Sequence, residues 1–211
     1  MKKENNKGFT LVELIVVMAM MLLLSTLSVA GILEYQDYAN YKRVNSYAQT
    51  LFVAAQSQLT QYSVRGEMDQ LEDIDYGVLN LSDVILPSGK KIAAKDADSA
   101  MEGKTIYYLT GTAKTYENYL AGVYESKTDS TSRTYQALYD IFDSYLYDKS
   151  ILRAAIAIEY NPEEGLVYSV LYSDRVGAFT YEEESTEGKT AIGNRTEDYR
   201  SVQMIGYYGV D

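Results

Sequence analysis

The sequence predicts an α+β fold: one long N-terminal helix, with a membrane-spanning half and an amphipathic half, packed on a small antiparallel sheet. Three observations carry this. Residues 14–33 form a twenty-residue run without a formal charge. Apolar residues then recur at spacings of three and four as far as Tyr62. Further on, two stretches with β-type alternation, 153–160 and 166–172, flank a turn at Asn161-Pro162-Glu163-Glu164-Gly165.

The uncharged run is long enough for a bilayer. At about 1.5 Å per residue it spans the ~30 Å hydrocarbon core. The eight residues before Phe9 are polar and basic, with Lys2, Lys3 and Lys7 against Glu4, and end at Gly8. The positive-inside rule keeps such a leader in the cytoplasm. Glu34 and Asp37 open the far side. Beyond the run, Tyr41, Val44, Ala48, Leu51, Phe52, Ala55, Leu59 and Tyr62 line one helical face. No proline precedes Pro87 and the first stop signal is Gly66, so one helix is expected over residues 9–64, about 80 Å long. Gly31 lies between its halves and permits local melting or bending.

The remainder reads as a domain of short elements. Residues 67–104 are acidic and irregular, with Asp69, Glu72, Asp73 and Asp75 followed by the turn signal Pro87-Ser88-Gly89. The acidic cluster lacks EF-hand spacing and reads as a solvated loop, so no metal site is expected. Leu86-Pro87-Ser88-Gly89 is superficially similar to a sortase signal, but it is internal and no apolar tail follows. Residues 106–109 read as a strand and 135–146 as a helix. Strands over 153–160 and 166–172 form a hairpin, with Ile156, Ile158 and Tyr160 on one face of the first and Leu166, Tyr168, Val170 and Tyr172 on one face of the second. Residues 181–193 read as a charged loop and 202–208 as a last strand. The expected divisions are 1–8, a leader; 9–33, the membrane helix; 34–65, its amphipathic continuation; and 66–211, the globular domain.

Composition narrows the chemistry. There are 30 Asp+Glu against 19 Lys+Arg, a net charge of -11, which disfavours direct binding of a nucleic-acid backbone. With no Cys there is neither a disulfide nor a thiolate metal site. With no His, serine-triad, papain-like and zinc-peptidase chemistries are excluded in their usual forms. Paired-carboxylate chemistry remains open, but no spacing nominates a pair, so neither an enzyme nor a cofactor is expected. The 22 tyrosines suit surfaces that pack against copies of themselves.

One residue breaks the apolar pattern. Glu13 lies five residues after Gly8, and no Lys or Arg stands between Lys7 and Lys42 to pair with it. An unpaired carboxylate at membrane depth costs roughly 2.5–3.5 kcal/mol. A cut between Gly8 and Phe9 would create a cation one helical turn away: the freed amine of Phe9. The same amine on a neighbouring copy would neutralise Glu13 when helices pack side by side.

The stretch Lys7-Gly8-Phe9-Thr10-Leu11-Val12-Glu13-Leu14-Ile15 resembles the processing site of type IV pilins and pseudopilins. The resemblance covers about the first thirty residues and is specific there. It implies cleavage after Gly8 by prepilin peptidase, N-methylation of Phe9, and use of Glu13 in recruiting and registering an incoming subunit. It also implies other pilin subunits, a membrane platform protein and an assembly ATPase as partners. The chain would be a single-pass membrane protein before assembly and part of a cell-surface filament afterwards. In that family, subunits that cap a filament tip often lack the carboxylate, so Glu13 favours a subunit with a neighbour above it. The chain departs from many pilins in having no cysteine pair to staple its C-terminal loop, which packing or hydrogen bonds must then hold. Cysteine-poor members are common in Gram-positive bacteria, so the resemblance points to such a source.

Three rival readings remain. Ser28-Val29-Ala30 before Gly31 is similar to a secretory cleavage site, but the apolar run is longer than an ordinary signal core and Glu13 is anomalous there. A plain signal anchor explains neither Gly8-Phe9 nor Glu13. A membrane-anchored or secreted binding module with a tyrosine-rich recognition surface would not polymerise and would not need Glu13.

Overall fold

A computed structural model describes residues 9–71, 74, 77–79, 84–85, 91–92, 106–126, 128–181 and 205–209. The first helix, α1, is Leu11–Arg65. It ends where the sequence signals. Gly66 takes a left-handed φ of 68°, its N–H donates to Ser63 O (3.3 Å), and Glu67 N–H donates to Tyr62 O (2.9 Å). These are the two bonds of a Schellman cap, which needs a residue without a Cβ penalty at the glycine position.

The chain divides into two compact units, residues up to Asn40 and residues from Tyr41 onward. The first unit contributes the N-terminal part of α1. The second takes the remainder of α1 with it.

Within the second unit, a five-stranded antiparallel sheet has the order β1-β4-β5-β6-β8, from Gly77–Leu79, Ile106–Gly111, Ala155–Asn161, Leu166–Ser173 and Gly206–Gly209. A smaller sheet, β3-β2-β7, comprises Lys91–Ile92, Val84–Ile85 and Thr180–Tyr181. Two further helices, α2 (Ala113–Leu120) and α3 (Ser130–Asp143), follow β4.

The predicted apolar face of α1 is the buried one. Val44, Ala48, Leu51, Ala55 and Leu59 are fully buried and Tyr62 nearly so. They share a core with Leu138, Ile141 and Phe142 of α3 and with Ile156, Ile158, Tyr160, Val170 and Tyr172 of the sheet. A second core involves Ala155, Ala157, Leu171, Phe179, Ile205 and Tyr207. Burying apolar side chains this way is the main favourable term in folding. The central strands are covered on both faces, so β5 is buried at every residue.

The hairpin forms as expected, with one correction. Ile156, Ile158 and Tyr160 share the core containing α1, but Tyr168 belongs to the other core and Leu166 is exposed. The register shifts between Glu159, opposite Ser169, and Tyr160, opposite Val167. This bulge leaves Tyr168 as an extra residue and reverses the side-chain alternation before it. The turn is held by Glu164 N–H donating to Asn161 Oδ1 (3.1 Å). Gln56 then fixes the hairpin to α1: its Nε2 donates to Gly165 O (2.9 Å) and its Oε1 accepts from Val167 N–H (2.8 Å).

Other expectations shift by a few residues or more. The helix expected over 135–146 is α3, which starts at Ser130 because Asp129 caps it, accepting from Ser132 N–H (2.9 Å). Helix α2 is unexpected; Thr112 caps it, with Thr115 Oγ1 accepting from Thr112 N–H (2.8 Å). The segment 67–104 is not wholly irregular: a 3-10 turn, Met68–Leu71, and strands β1, β2 and β3 fall within it. Glu72, Asp73, Asp75 and Pro87-Ser88-Gly89 lie outside the described residues, as does nearly all of 181–193 except Tyr181 in β7. The last strand is seen at Gly206–Gly209.

The tyrosines are also placed differently. Tyr62, Tyr116, Tyr139, Tyr160, Tyr168, Tyr172, Tyr181 and Tyr207 are buried, so many serve the domain's own cores rather than its surface. Three of their hydroxyls have internal partners: Tyr139 donates to Thr112 O (3.1 Å), Tyr168 to Glu164 Oε2 (3.1 Å), and Tyr181 to Glu159 Oε1 (3.0 Å). Glu159 is itself fully buried and accepts from Ser169 Oγ as well.

The cysteine-free C-terminal strand is held by backbone contact. β8 pairs with β6, and Tyr207 N–H donates to Asn45 Oδ1 of α1 (3.0 Å). Phe52 of α1 meets Tyr208 edge-on, with centroids 5.0 Å apart. A Cβ at Gly206 would collide with the backbone of Val44 and Asn45. Gly206→Ala is therefore expected to destabilise the domain by on the order of 1–3 kcal/mol, as overpacking does, read from urea unfolding.

Burial pushes Tyr168 up to about 12, helped by its bond to Glu164, and pushes Tyr172 up to about 12, helped by Asp174 and Tyr47. A raised folded value leaves the full contribution present below about 10, where the unfolded tyrosine ionises, and removes it as pH rises through about 12. The melting temperature should thus fall steadily between about pH 10 and 12 in circular dichroism, whereas a flat profile would place these hydroxyls in water.

Candidate functional site

The N-terminal part of α1 is distinguished by what does not cover it. Every side chain described in residues 9–39 is exposed, including Phe9 at 88% and Leu11 at 75%. Contiguous apolar surface on this scale marks an interaction site. By length and composition α1 is able to cross a membrane. Two hydroxyls inside the run satisfy themselves locally: Ser25 Oγ donates to Met21 O (2.7 Å) and Thr26 Oγ1 to Leu23 O (2.8 Å). Such bonds let polar groups sit in lipid or in a dry bundle. Exposed Tyr35 and Tyr38 follow, the amphipathic ring type that settles at headgroup level.

Glu13 shapes the start of this helix. Thr10 N–H donates to Glu13 Oε2 (2.8 Å), Thr10 Oγ1 donates to the same oxygen (2.9 Å), and Glu13 N–H donates back to Thr10 Oγ1 (3.3 Å). Leu14 N–H donating to Thr10 O (3.2 Å) is the first helical bond. This reciprocal pattern is a capping box, and a carboxylate in the first turn also faces the positive end of the helix dipole. Both Thr10 donors go to Oε2. Among the described residues Glu13 Oε1 has no hydrogen-bond partner, and no Lys or Arg pairs with the carboxylate. Phe9 lies next to the cap, so an amine created there would arrive one residue before Thr10.

The sequence reading placed Phe9 and Glu13 in this region, and the structure puts both at the exposed head of α1. Gly8 lies outside the described residues. The reading missed Thr10, although Thr10-Leu11-Val12-Glu13 is the Ser/Thr-x-x-Glu signature of a capping box.

Elsewhere the features are modest. A groove of about 350 Å³ on the second part of α1 is lined by Gln49, Thr50, Val53, Ala54, Ser57 and Tyr145. It holds no carboxylate and so no acid–base pair of the glycosidase type. Buried Glu159 faces Ser169 and Tyr181 inside the domain. No group of three or more potential metal ligands is found among the described residues.

Residues 3–29 match the prokaryotic N-terminal methylation motif. This is the prepilin-type signal of type IV pilins and pseudopilins, and the capping box and most of the exposed apolar run fall within it. It supports a type IV pilin-like precursor processed by prepilin peptidase and implies a structural rather than an enzymatic protein, assembling with other pilins. The apolar helix fits membrane anchoring followed by a place in a surface filament. No curated protein and no solved structure matches the chain.

Removing the cap tests its local role. Thr10→Ala should cost about 1 kcal/mol at the helix start and speed hydrogen exchange at Val12, Glu13 and Leu14 in detergent micelles. Exchange unchanged from the parent chain would show that the helix start does not depend on the box.

Proposed function

We propose that this chain is a structural subunit of a type IV pilus or pseudopilus, cut after Gly8, N-methylated on Phe9, and registered against its neighbours through Glu13. The observation that carries the reading is the half-used carboxylate. Within the matched signal, Glu13 caps its own helix with one oxygen and leaves the other and its charge without a cation among the described residues.

The sequence of events follows from solvation. The leader holds the precursor in the membrane with its basic end inside. Cleavage frees the Phe9 amine. In the bilayer an unpaired carboxylate is costly, and a neighbour's amine relieves that cost only when two helices come side by side. Lipid contacts of the exposed run are then exchanged for helix–helix contacts, and the unit from Tyr41 onward is carried to the outside. A membrane platform protein and an assembly ATPase would drive extraction. The task of the filament is a property of the domain surface.

Two substitutions separate processing from assembly. Gly8→Val should leave a full-length chain in the membrane fraction. Glu13→Gln keeps an acceptor for Thr10 but drops the charge. It should be processed normally, while its incorporation into sheared filaments falls about tenfold or more, the factor for each 1.4 kcal/mol lost. Normal incorporation of Glu13→Gln, read by immunoblot of the sheared fraction, would show that the charge does not guide assembly.

A further inference from the structure

The bonds between Thr10 and Glu13 fix where the carboxylate points. Glu13 Oε2 accepts from Thr10 N–H at 2.8 Å and from the Thr10 hydroxyl at 2.9 Å, and Thr10 Oγ1 accepts from Glu13 N–H at 3.3 Å. A carboxylate oxygen has two lone pairs, so both acceptor positions of Oε2 are filled and those of Oε1 are open. Among the described residues neither side chain makes any other hydrogen bond or ion pair. The ring closes within residues 10–13 and depends on no contact elsewhere in the molecule.

We propose that Thr10 is a positioning residue for assembly: its hydroxyl holds Glu13 so that Oε1 alone is presented, in one orientation, to the amine of the adjacent copy. The proposal deepens the filament reading above and rests on it. An exposed glutamate on a helix is ordinarily spread over several rotamers, and pairing has to stop that motion. Here each subunit stops it before meeting another, so an arriving amine gives up less ordering entropy. A carboxylate with one open oxygen also accepts from fewer directions than a free one, which favours a single arrangement of neighbours.

The arrangement does not depend on the cut. The donating amide of Thr10 belongs to the peptide bond between Phe9 and Thr10, which cleavage after Gly8 leaves intact. The box is therefore available in the precursor and in the processed chain alike. What cleavage adds is the amine, and it meets a carboxylate already set.

Thr10 also caps the helix, and the two roles separate by substitution. Glycine and threonine are about equal as N-caps, and serine is better than either. Thr10→Gly keeps the helix start but removes the hydroxyl, whereas Thr10→Ser keeps both. Full-length chains carrying each change replace the parent, and incorporation into sheared filaments is counted per processed chain in the membrane. Thr10→Ser should match the parent. Thr10→Gly should fall about fivefold, which is about 1 kcal/mol at 1.4 kcal/mol per tenfold. Placed in the Glu13→Gln chain, Thr10→Gly should add no further loss, because it acts through the Glu13 charge. A second measurement needs no cleavage step. In detergent micelles, NMR relaxation of isotope-labelled Glu13 Cγ should show an ordered side chain in the parent and in Thr10→Ser, and a mobile one in Thr10→Gly. Equal mobility in all three, parent-like incorporation of Thr10→Gly, an equal loss in Thr10→Ser, or the same fivefold loss in the Glu13→Gln chain overturns the positioning role and leaves the filament reading intact. Absence of the parent chain from sheared filaments overturns both.

Discussion

The constraint on which the molecule depends is the uncovered apolar surface at the start of α1. Twenty consecutive uncharged residues, with their described side chains exposed, have no place in water. They require lipid or copies of themselves. Glu13 turns that general demand into a directed one. A carboxylate near the start of such a run is costly in lipid unless it is compensated. Its capping box with Thr10 supplies hydrogen bonds but no opposite charge. In the proposed filament the freed Phe9 amine supplies that charge, one helical turn away on the same chain or side by side on a neighbouring copy.

The second unit meets a different demand. It must fold without a disulfide and present its C-terminal strand in a fixed place. It does so by covering the central strands of its sheet with two cores and by tying both the hairpin and the last strand to α1. Gln56 substitutes for a neighbouring strand by satisfying one carbonyl and one amide of the hairpin. Gly206 lets the β8 backbone touch the α1 backbone at Val44. These contacts replace a covalent staple with close packing, which tolerates no added carbon at the point of contact.

Legibility in the sequence followed the length of the pattern. The apolar face of α1 from Val44 to Tyr62 repeats over several turns, and Gly66 is a strong stop, so the helix was readable to within a residue or two. The hairpin was readable because two long alternating runs flank a proline- and glycine-containing turn. The bulge at Tyr168 was not, since one extra residue leaves no mark on composition and only reverses faces locally. Helix α2 is eight residues long and buries only Tyr116, too little for a period to show. Strands of two or three residues, such as β1, β2 and β3, are too short to alternate. The tyrosines misled because an amphipathic ring suits a core with a hydroxyl acceptor as well as a surface. At the candidate site, Glu13 stood out as a charge in an apolar run, whereas Thr10 had to be read together with it.

The central claim is that this chain enters a surface filament as a processed subunit. The most direct measurement is the intact mass, with N-terminal sequence, of chain recovered from sheared cell-surface material. The account predicts a single species that begins at N-methylated Phe9. A chain released in soluble form and beginning at Gly31, or an uncut chain that never leaves the membrane, would contradict it.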